Sequence, residues 1–278
     1  MPSWLSSRTS LVAAASALAA LAVLAAGCQG TKVVRRTRTL LAIFAHPDDE
    51  AFVGPLLSHY ARQGVKVRLA IVTPGAGSTS ARLGIAAGPE MARVRAQEAL
   101  CSCRALGVDP PVQLGFEDGG LGKRGDPPDG YLKQLVLRIR ELLAQERPDV
   151  VITWGPEGGY GHPDHRLVGA VVTEVVQARA DGAPTRLFYS GIPADQVRPS
   201  PDPRWAVMDR RFLTVRVPYD DVDFAATRRA FECHQSQFAP DSIGPLLGRL
   251  GSRLRGHVYL RPWFGAEMAD DLFAVEIP

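Results

Sequence analysis

The chain has 278 residues, of which 46% are hydrophobic and 22% are charged, and its formal net charge is +3. This length and composition are typical of one globular domain with a sizeable core. The small net charge, without a run of lysine and arginine, excludes nucleic-acid binding as a function class.

The amino-terminal segment is a predicted export signal. Arg8 is its only charged residue, and an uninterrupted apolar stretch, Leu11 to Ala26, follows it. The stretch is short for a membrane-spanning helix and ends at small residues, as secretory signals do. We therefore interpret residues 1–27 as a signal peptide and residues 28–39 as a polar linker.

The end of this segment resembles a bacterial lipobox, since it reads Leu24-Ala25-Ala26-Gly27-Cys28. On this interpretation Cys28 carries lipid and anchors the protein to a membrane of the cell envelope. Gln29 follows it, which by resemblance to known sorting indicates the outer membrane where the cell has one. The alternative is an ordinary signal peptide that happens to contain a cysteine.

Three cysteines remain after Cys28. Cys101 and Cys103 fall in one predicted helix and point to different faces, so they are poorly placed to pair with each other. We therefore predict that the three cysteines are buried free thiols. Pairing of one of them with Cys233 stays open for a protein that folds in an oxidising compartment.

Strand and helix patterns alternate along the rest of the chain. In order, they predict a strand at Leu40–Ala45, a helix to about Gln63, a strand at Val65–Thr73, a helix at Pro89–Leu106, a strand at Val112–Phe116, a helix at Tyr131–Gln145, a strand at Val150–Trp154, a helix at His165–Ala180 and a strand at Leu187–Ile192. This alternation indicates a Rossmann-like α/β fold, with a mostly parallel sheet and helices on both faces.

The pattern weakens after Pro193. A strand at Phe212–Val217, a helix from Val222 to about Gln235 and a loop-rich tail with a strand at Leu272–Ile277 are predicted there. If the sheet order is 3-2-1-4-5, strands one and four are neighbours where the order reverses. Ligands of such sheets bind at the carboxyl ends of those strands.

Polar motifs follow these two strands. His46-Pro47-Asp48-Asp49-Glu50 comes directly after the first, and His162-Pro163-Asp164-His165 follows the fourth. A helical first turn brings residues three apart onto one side, as it would His46 and Asp49. The helix dipole alone favours acidic residues in a first turn, but it does not explain two His-Pro-Asp sequences.

Two imidazoles and a carboxylate are a common ligand set of catalytic zinc, and here His46, Asp49 and His165 supply them. A bound metal lowers the pKa of water to roughly 7, and an adjacent carboxylate can accept its proton. A further histidine can stabilise a developing oxyanion and protonate a leaving amine. This inventory predicts metal-assisted hydrolysis of an amide or ester. Because the same set matches the iron(II) facial triad, Fe²⁺ remains an alternative to Zn²⁺.

The two motifs resemble those of the PIG-L (LmbE-like) N-acetylglucosaminyl deacetylase family. The resemblance extends from Leu40 to about Gln237, with weaker similarity at Arg95–Gly107, Glu117–Leu121 and His234–Gln237. It implies zinc binding by His46, Asp49 and His165, a general base at Asp48, carbonyl polarisation by His162, orientation of His162 by Asp164, and a sugar contact at Asp118. The part after Pro193 is the least similar to the family.

The resemblance therefore implies that residues 40–278 form a zinc hydrolase, which the amino-terminal signal predicts to be exported. Its substrate would be an N-acetylglucosamine-type amino sugar or a conjugate of one. The alternative is a catalytically inactive glycan-binding lipoprotein with the same fold, but the intact polar residues of both motifs favour the enzyme. A phosphoesterase would need further metal-bridging carboxylates, and the sequence does not identify them.

Overall fold

The computed structural model describes residues 36–119, 121, 130–178, 186–196, 207–265 and 268–275. The predicted signal peptide, Cys28 and most of the predicted linker lie outside the described residues. Thr37–Pro278 form one compact unit. Among the described helices, none has the length and apolar character needed to cross a membrane.

A mixed sheet forms the centre of this unit. Its described strands are β1 (Thr39–Phe44), β2 (Lys66–Ile71), β3 (Val112–Gln113), β4 (Val150–Trp154), β5 (Arg186–Ser190), β6 (Val215–Pro218) and β7 (His257–Pro262). Their order is β3-β2-β1-β4-β5-β7-β6. The first five run parallel, and β7 is antiparallel to both β5 and β6.

Helices cover both faces of the sheet. They are α1 (Gly54–Arg62), α2 (Pro89–Leu106), α3 (Tyr131–Glu146), α4 (Pro163–Gln177), α5 (Asp221–Cys233) and α6 (Pro240–Leu254), and a 3-10 turn at Asp49–Val53 precedes α1. Helices α1, α2, α5 and α6 share one hydrophobic core with the sheet, and α3 and α4 share the other.

Strand β1 lies between these two cores. Leu40, Ala42 and Phe44 point into the first core, while Leu41 and Ile43 point into the second, and all five side chains are buried. A strand that is buried on both faces reads as an unbroken apolar run, which is how the sequence presents it. The predicted mostly parallel sheet is confirmed, and its five parallel strands have the order 3-2-1-4-5 on which the meeting of the two motifs was conditional.

The prediction of a loop-rich tail was wrong. Residues Pro240–Leu254 form α6, and β7 closes the sheet against β5 and β6. Helix α6 contains an internal proline, Pro245, and several glycines, which are poor helix formers. It is helical because it buries Ile243 and Leu247 in the core, and such packing supplies most helical stability in proteins.

The predicted strand at Leu272–Ile277 is also corrected. Its described residues, Leu272–Val275, form turns. Leu272 and Val275 are nevertheless buried, so these apolar residues contribute to the first core without joining the sheet.

The prediction of free thiols holds only for Cys103, which is buried. Cys101 of α2 and Cys233 of α5 form a disulfide bond, with their Cα atoms 5.7 Å apart. Helices α2 and α5 pack side by side, and this brings the two cysteines together across 132 residues of sequence. The alternative pairing with Cys233 is therefore the one that the structure contains.

Candidate metal centre

The two polar motifs meet where β1 and β4 end. The chain leaves β1 through His46 and enters the 3-10 turn at Asp49. After β4, His162 is the N-cap of α4, and its Nδ1 accepts the backbone N–H of Asp164 at 3.2 Å. The imidazoles of His46 and His165, 119 residues apart in sequence, approach to 3.1 Å between Nδ1 and Nε2.

The three residues predicted to bind metal lie side by side and are buried. Asp49 Oδ1 is 3.2 Å from His165 Nε2, and Asp49 Oδ2 is 3.9 Å from His46 Nδ1. Ligands held about 2.0 Å from a tetrahedral zinc ion are about 3.3 Å from one another. The spacing of these donors therefore suits a single small divalent ion between them.

Each of the three residues has its remaining polar atoms bonded elsewhere. His46 Nε2 lies 3.0 Å from Asp118 Oδ1 and 3.3 Å from Asp164 Oδ2, and His165 Nδ1 lies 3.2 Å from the carbonyl oxygen of Gly158. Partners of this kind fix the ring orientation and tautomer of metal-binding histidines. They leave His46 Nδ1 and His165 Nε2 with lone pairs that face each other.

The carboxylate of Asp49 is held by three N–H donors. Its Oδ2 accepts from the backbone of Ala45 at 3.1 Å, from the backbone of His46 at 3.0 Å and from Trp154 Nε1 at 3.2 Å. The indole of Trp154 also stacks on His165, with ring centroids 4.9 Å apart and planes inclined by 3°. Trp154, the last residue of β4, thus orients two of the three predicted ligands.

Two further groups of donors converge on His46. Donor atoms of His46, His162 and His165 lie within 4.8 Å of one another, and so do those of His46, Asp118 and Asp164. The second group uses His46 Nε2, and its other two members, Asp118 and Asp164, are the hydrogen-bond partners of that nitrogen. Because the other ring nitrogen faces His165 and Asp49, the arrangement favours the predicted triad as the ligand set, with His162 beside it.

The electrostatics of the site favour a cation. Burial lowers the pKa of His46, but hydrogen bonds with Asp118 and Asp164 raise it by more, to about 10. Burial raises the pKa of Asp49, but the neighbouring His165 and His46 bring it below its ordinary value. Burial likewise raises the pKa of Asp118, but His46 lowers it overall to about 2. Carboxylates around the imidazoles therefore stabilise positive charge at this position, whether a proton or a divalent ion carries it.

Asp48 lies beside the triad and pairs with a buried arginine of α2. Arg95 approaches Asp48 Oδ2 to 3.1 Å and also donates to the carbonyl oxygen of Pro47. Burial raises the pKa of Asp48 to about 6, against the lowering effect of the Arg95 charge. Arg95 can approach because residue 75 is glycine, with a φ of 66°, and a Cβ there would collide with the guanidinium group.

A pocket of about 290 Å³ opens over these residues. It is lined by His46, Gly77, Ser78, Arg95, Asp118, Gly119, Tyr160, His162 and Gln237. Most of these offer polar groups, and the volume is at the lower end of the range for small-molecule sites. The pocket therefore suits a small polar ligand or one unit of a larger one.

One sequence-based expectation differs from the geometry, and for Asp118 the geometry adds a contact that was not expected. The carboxylate of Asp164 contacts His46 and accepts the Gly119 N–H at 2.9 Å, and only its backbone reaches His162. Asp118, expected to contact sugar, lines the pocket but also contacts His46 and accepts the Gly77 N–H at 2.7 Å. Both acids therefore orient His46.

Sequence reasoning missed three residues that shape the site. Trp154 was identified only as a strand residue, although its indole N–H at a strand's end was a detectable signal. Arg95 was noted only as the start of a stretch with weak family similarity. Its position as a charged residue on an apolar helical face was a detectable signal. Tyr160 lies in the pocket wall, in the glycine-rich sequence before the second motif.

Comparison with known proteins finds a family whose model covers the two motifs. Residues 41–176 match the PIG-L family model, which is described as GlcNAc-PI de-N-acetylase. The matched range begins in β1 and ends in α4, so it contains both polar motifs and the whole predicted triad.

Two relatives carry the name 1D-myo-inositol 2-acetamido-2-deoxy-alpha-D-glucopyranoside deacetylase. The one from Mycobacteroides abscessus is 33% identical over 171 residues, which is 56% of this chain and 61% of the relative. The one from Salinispora arenicola is 27% identical over 280 aligned positions, covering 85% of this chain and 91% of the relative. The chain spans between half and 61% of the length of the first curated relatives that it matches.

Solved structures share the fold at lower identity. The N,N'-diacetylchitobiose deacetylase of Pyrococcus horikoshii is 21% identical, with a TM-score of 0.61 over 93% of this chain and 94% of that one. The 4-carboxy-2-hydroxymuconate hydratase of Pseudomonas putida is 16% identical, with a TM-score of 0.58 over 82% of this chain and 97% of that one. Because the fold supports two different reactions in these structures, it does not by itself specify one.

Proposed function

Because residues 41–176 match the PIG-L family model, we propose that the protein is a metal-dependent hydrolase that removes the acetyl group from an N-acetylated amino sugar. The observation that carries the proposal is the convergence of His46 Nδ1, Asp49 Oδ1 and His165 Nε2, with Asp48 directly before Asp49 in the chain and its carboxylate held by Arg95 of the pocket wall. A metal-binding triad beside a candidate proton acceptor is the arrangement that hydrolysis of an amide needs.

His46, Asp49 and His165 would hold the metal. The spacing of their donor atoms suits Zn²⁺, and the donor set itself fits both Zn²⁺ and Fe²⁺. The ion would supply Lewis acidity and a lowered pKa for water when bound. Asp48 would accept the proton of the attacking water. Arg95 keeps that carboxylate in place at 3.1 Å.

His162 is suited to stabilise the carbonyl oxygen. Its Nδ1 accepts the backbone N–H of Asp164, so in the neutral ring the proton is on Nε2. His162 lines the pocket, where that N–H can donate a hydrogen bond to the oxyanion, while the proton that Asp48 accepts from water can pass on to the leaving amine. Burial and the neighbouring charges of His46 and His165 lower the pKa of His162, which favours this neutral form.

The polar pocket and the relatives support an N-acetylglucosamine-type substrate. The relatives named above are deacetylases of a 2-acetamido-2-deoxyglucoside of inositol. In this chain Asp118 and Arg95 line a pocket that is small enough to receive one sugar unit. We therefore propose a single N-acetyl amino sugar, free or conjugated, as the group that is bound.

The direct test is acetate release. The purified chain without residues 1–27, loaded with Zn²⁺, is incubated with N-acetylglucosamine, N-acetylglucosaminyl-inositol and N,N'-diacetylchitobiose, and acetate and free amine are quantified. We expect at least one substrate to yield both products in equal amounts. Glycan binding without acetate release, with either Zn²⁺ or Fe²⁺, would support the inactive glycan-binding alternative instead.

We further propose that the protein is exported and anchored to the cell envelope through lipid on Cys28. The apolar segment, the lipobox-like sequence and the Cys101–Cys233 disulfide support this, since disulfides persist mainly in oxidising compartments. The Cys28→Ser variant should lose incorporation of a fatty-acid probe and move to the soluble fraction. A variant labelled as strongly as the wild type would contradict the lipid anchor.

A further prediction concerns Trp154. Trp154→Phe keeps an aromatic ring against His165 but removes the N–H that Asp49 Oδ2 accepts. Loss of a partner that orients a metal ligand typically lowers metal affinity by about 10–100-fold. Titration of bound zinc with a competing chelator should show this drop, and an unchanged affinity would mean that the indole does not support the site.

A further inference from the structure

Glu50, the last residue of the first motif, has no part in the proposed chemistry, yet it is completely buried. Its Oε2 accepts the backbone N–H of Asp48 at 3.0 Å. Its Oε1 accepts the hydroxyl of Ser102 at 2.5 Å and lies 2.6 Å from His234 Nε2. A buried carboxylate requires such partners, because burial without them is strongly unfavourable.

The peptide that Glu50 holds is an unusual one. Asp48 has a φ of 104°, outside the regions that side-chain-bearing residues normally adopt. Such a conformation persists only where the surroundings impose it. The bond from the Asp48 N–H to Glu50 is a contact that does so, and the Asp48 carboxylate then pairs with Arg95, a residue of the pocket wall.

The two donors to Glu50 Oε1 come from different helices that are joined covalently. Ser102 of α2 follows Cys101, and His234 follows Cys233 at the end of α5, so each donor is next to one half of the disulfide. Burial lowers the pKa of His234, but the charge of Glu50 raises it above its ordinary value. The two residues therefore form a buried, charge-assisted pair.

We propose that His234 is a positioning residue, which fixes the Asp48 peptide through Glu50, and that the Cys101–Cys233 disulfide holds it there. This rests on the proposed function, in which Asp48 is the general base. His234 is completely buried and does not line the pocket, so its effect on the reaction is exerted through Glu50. His234, which follows α5 and lies outside the residues 41–176 that match the family model, thereby contributes to the site.

The first test compares two replacements of His234. His234→Phe removes the donor to Glu50, whereas His234→Gln places an amide N–H near the position of Nε2. With the Zn²⁺-loaded chain and an N-acetylated amino sugar, we expect His234→Phe to lower kcat by about 10–100-fold, the scale of a misplaced catalytic group. KM and zinc content should stay within two-fold of wild type, and His234→Gln should recover most of the lost kcat.

The second test needs no activity. Hydrogen exchange, measured by mass spectrometry on a peptide that contains Asp48, reports the N–H held by Glu50. It should speed up in His234→Phe and stay near wild type in His234→Gln, while peptides from β4 are unchanged. If exchange follows this pattern but the wild type releases no acetate, the positioning role stands and the proposed reaction fails.

The third test concerns the disulfide. The double variant Cys101→Ser/Cys233→Ser should lower kcat in the same direction as His234→Phe, whereas Cys103→Ala, which alters the buried free thiol two residues away, should leave kcat within two-fold of wild type. Two results would overturn the proposal. One is a His234→Phe variant with wild-type kcat and exchange, and the other is a His234→Gln variant as impaired as His234→Phe.

Discussion

Replacing Asp48 by asparagine is expected to lower kcat/KM for an N-acetylated amino sugar by about 10²–10⁴-fold, which is the usual effect of removing a general base. Asparagine keeps the size of the side chain and an oxygen that can face Arg95, but it cannot accept a proton. Metal content should therefore stay at the wild-type value. The measurement is kcat/KM and elemental analysis on the same preparation.

The pH profile gives an independent check on Asp48. Because burial raises its pKa to about 6, the carboxylate is ionised above that pH and protonated below it. A base must be ionised, so kcat/KM should rise with pH and level off. A bound divalent cation favours the ionised form further, which places the rising limb at or below pH 6. Asp48→Asn should lose this limb.

Asp149→Asn is a matched control. Asp149 precedes β4 at the opposite end of the strand, where it accepts the backbone N–H of Thr39 at 2.8 Å. The same carboxylate-to-amide change there should leave deacetylation near wild type. Conversely, an Asp48→Asn variant that deacetylates within a few-fold of wild type would show that Asp48 is not the base.

The second large effect is expected from His46→Ala/His165→Ala. Wild-type chain should retain about one divalent ion after dialysis, because three protein ligands and an open position are the arrangement of catalytic zinc sites. The double variant removes two of the three ligands and should retain none. Acetate release should fall to background and should not recover on addition of Zn²⁺.

His257→Ala provides the matching control for histidine removal. His257 begins β7 and is exposed, so its loss should change neither metal content nor activity. Retention of metal by His46→Ala/His165→Ala would refute the proposed ligand set. Such a result would require ligands other than these two histidines, and the carboxylates of Asp118 and Asp164 would be the next to replace.

The sequence was sufficient to predict a mostly parallel sheet, and the strand order 3-2-1-4-5, taken as a condition, then brings the two motifs together. Apolar runs that end abruptly in histidine and aspartate identify the carboxyl ends of β1 and β4, and parallel α/β sheets obey few connection rules. Given those rules, residues such as His46 and His165 could be placed together without knowing any side-chain contact.

The remaining features depend on packing that a linear pattern does not encode. The indole of Trp154 contacts Asp49 because of the side-chain direction at the end of β4. The Asp164 carboxylate faces His46 and not His162 because of the side-chain direction at the start of α4. Helix α6 was missed because its proline and glycines weaken the local preference, while its stability comes from burial.

The Cys101–Cys233 bond closes a loop of 132 residues. In the chain-entropy view, a cross-link over such a distance disfavours the unfolded chain by about 5 kcal/mol. The free Cys103 lies only two residues from Cys101. In an unfolded chain, oxidation can therefore form a wrong disulfide that contains Cys103. Recombinant material made in a reducing cytosol should therefore have a lower melting temperature than material made in the periplasm, where wrongly paired thiols can be exchanged.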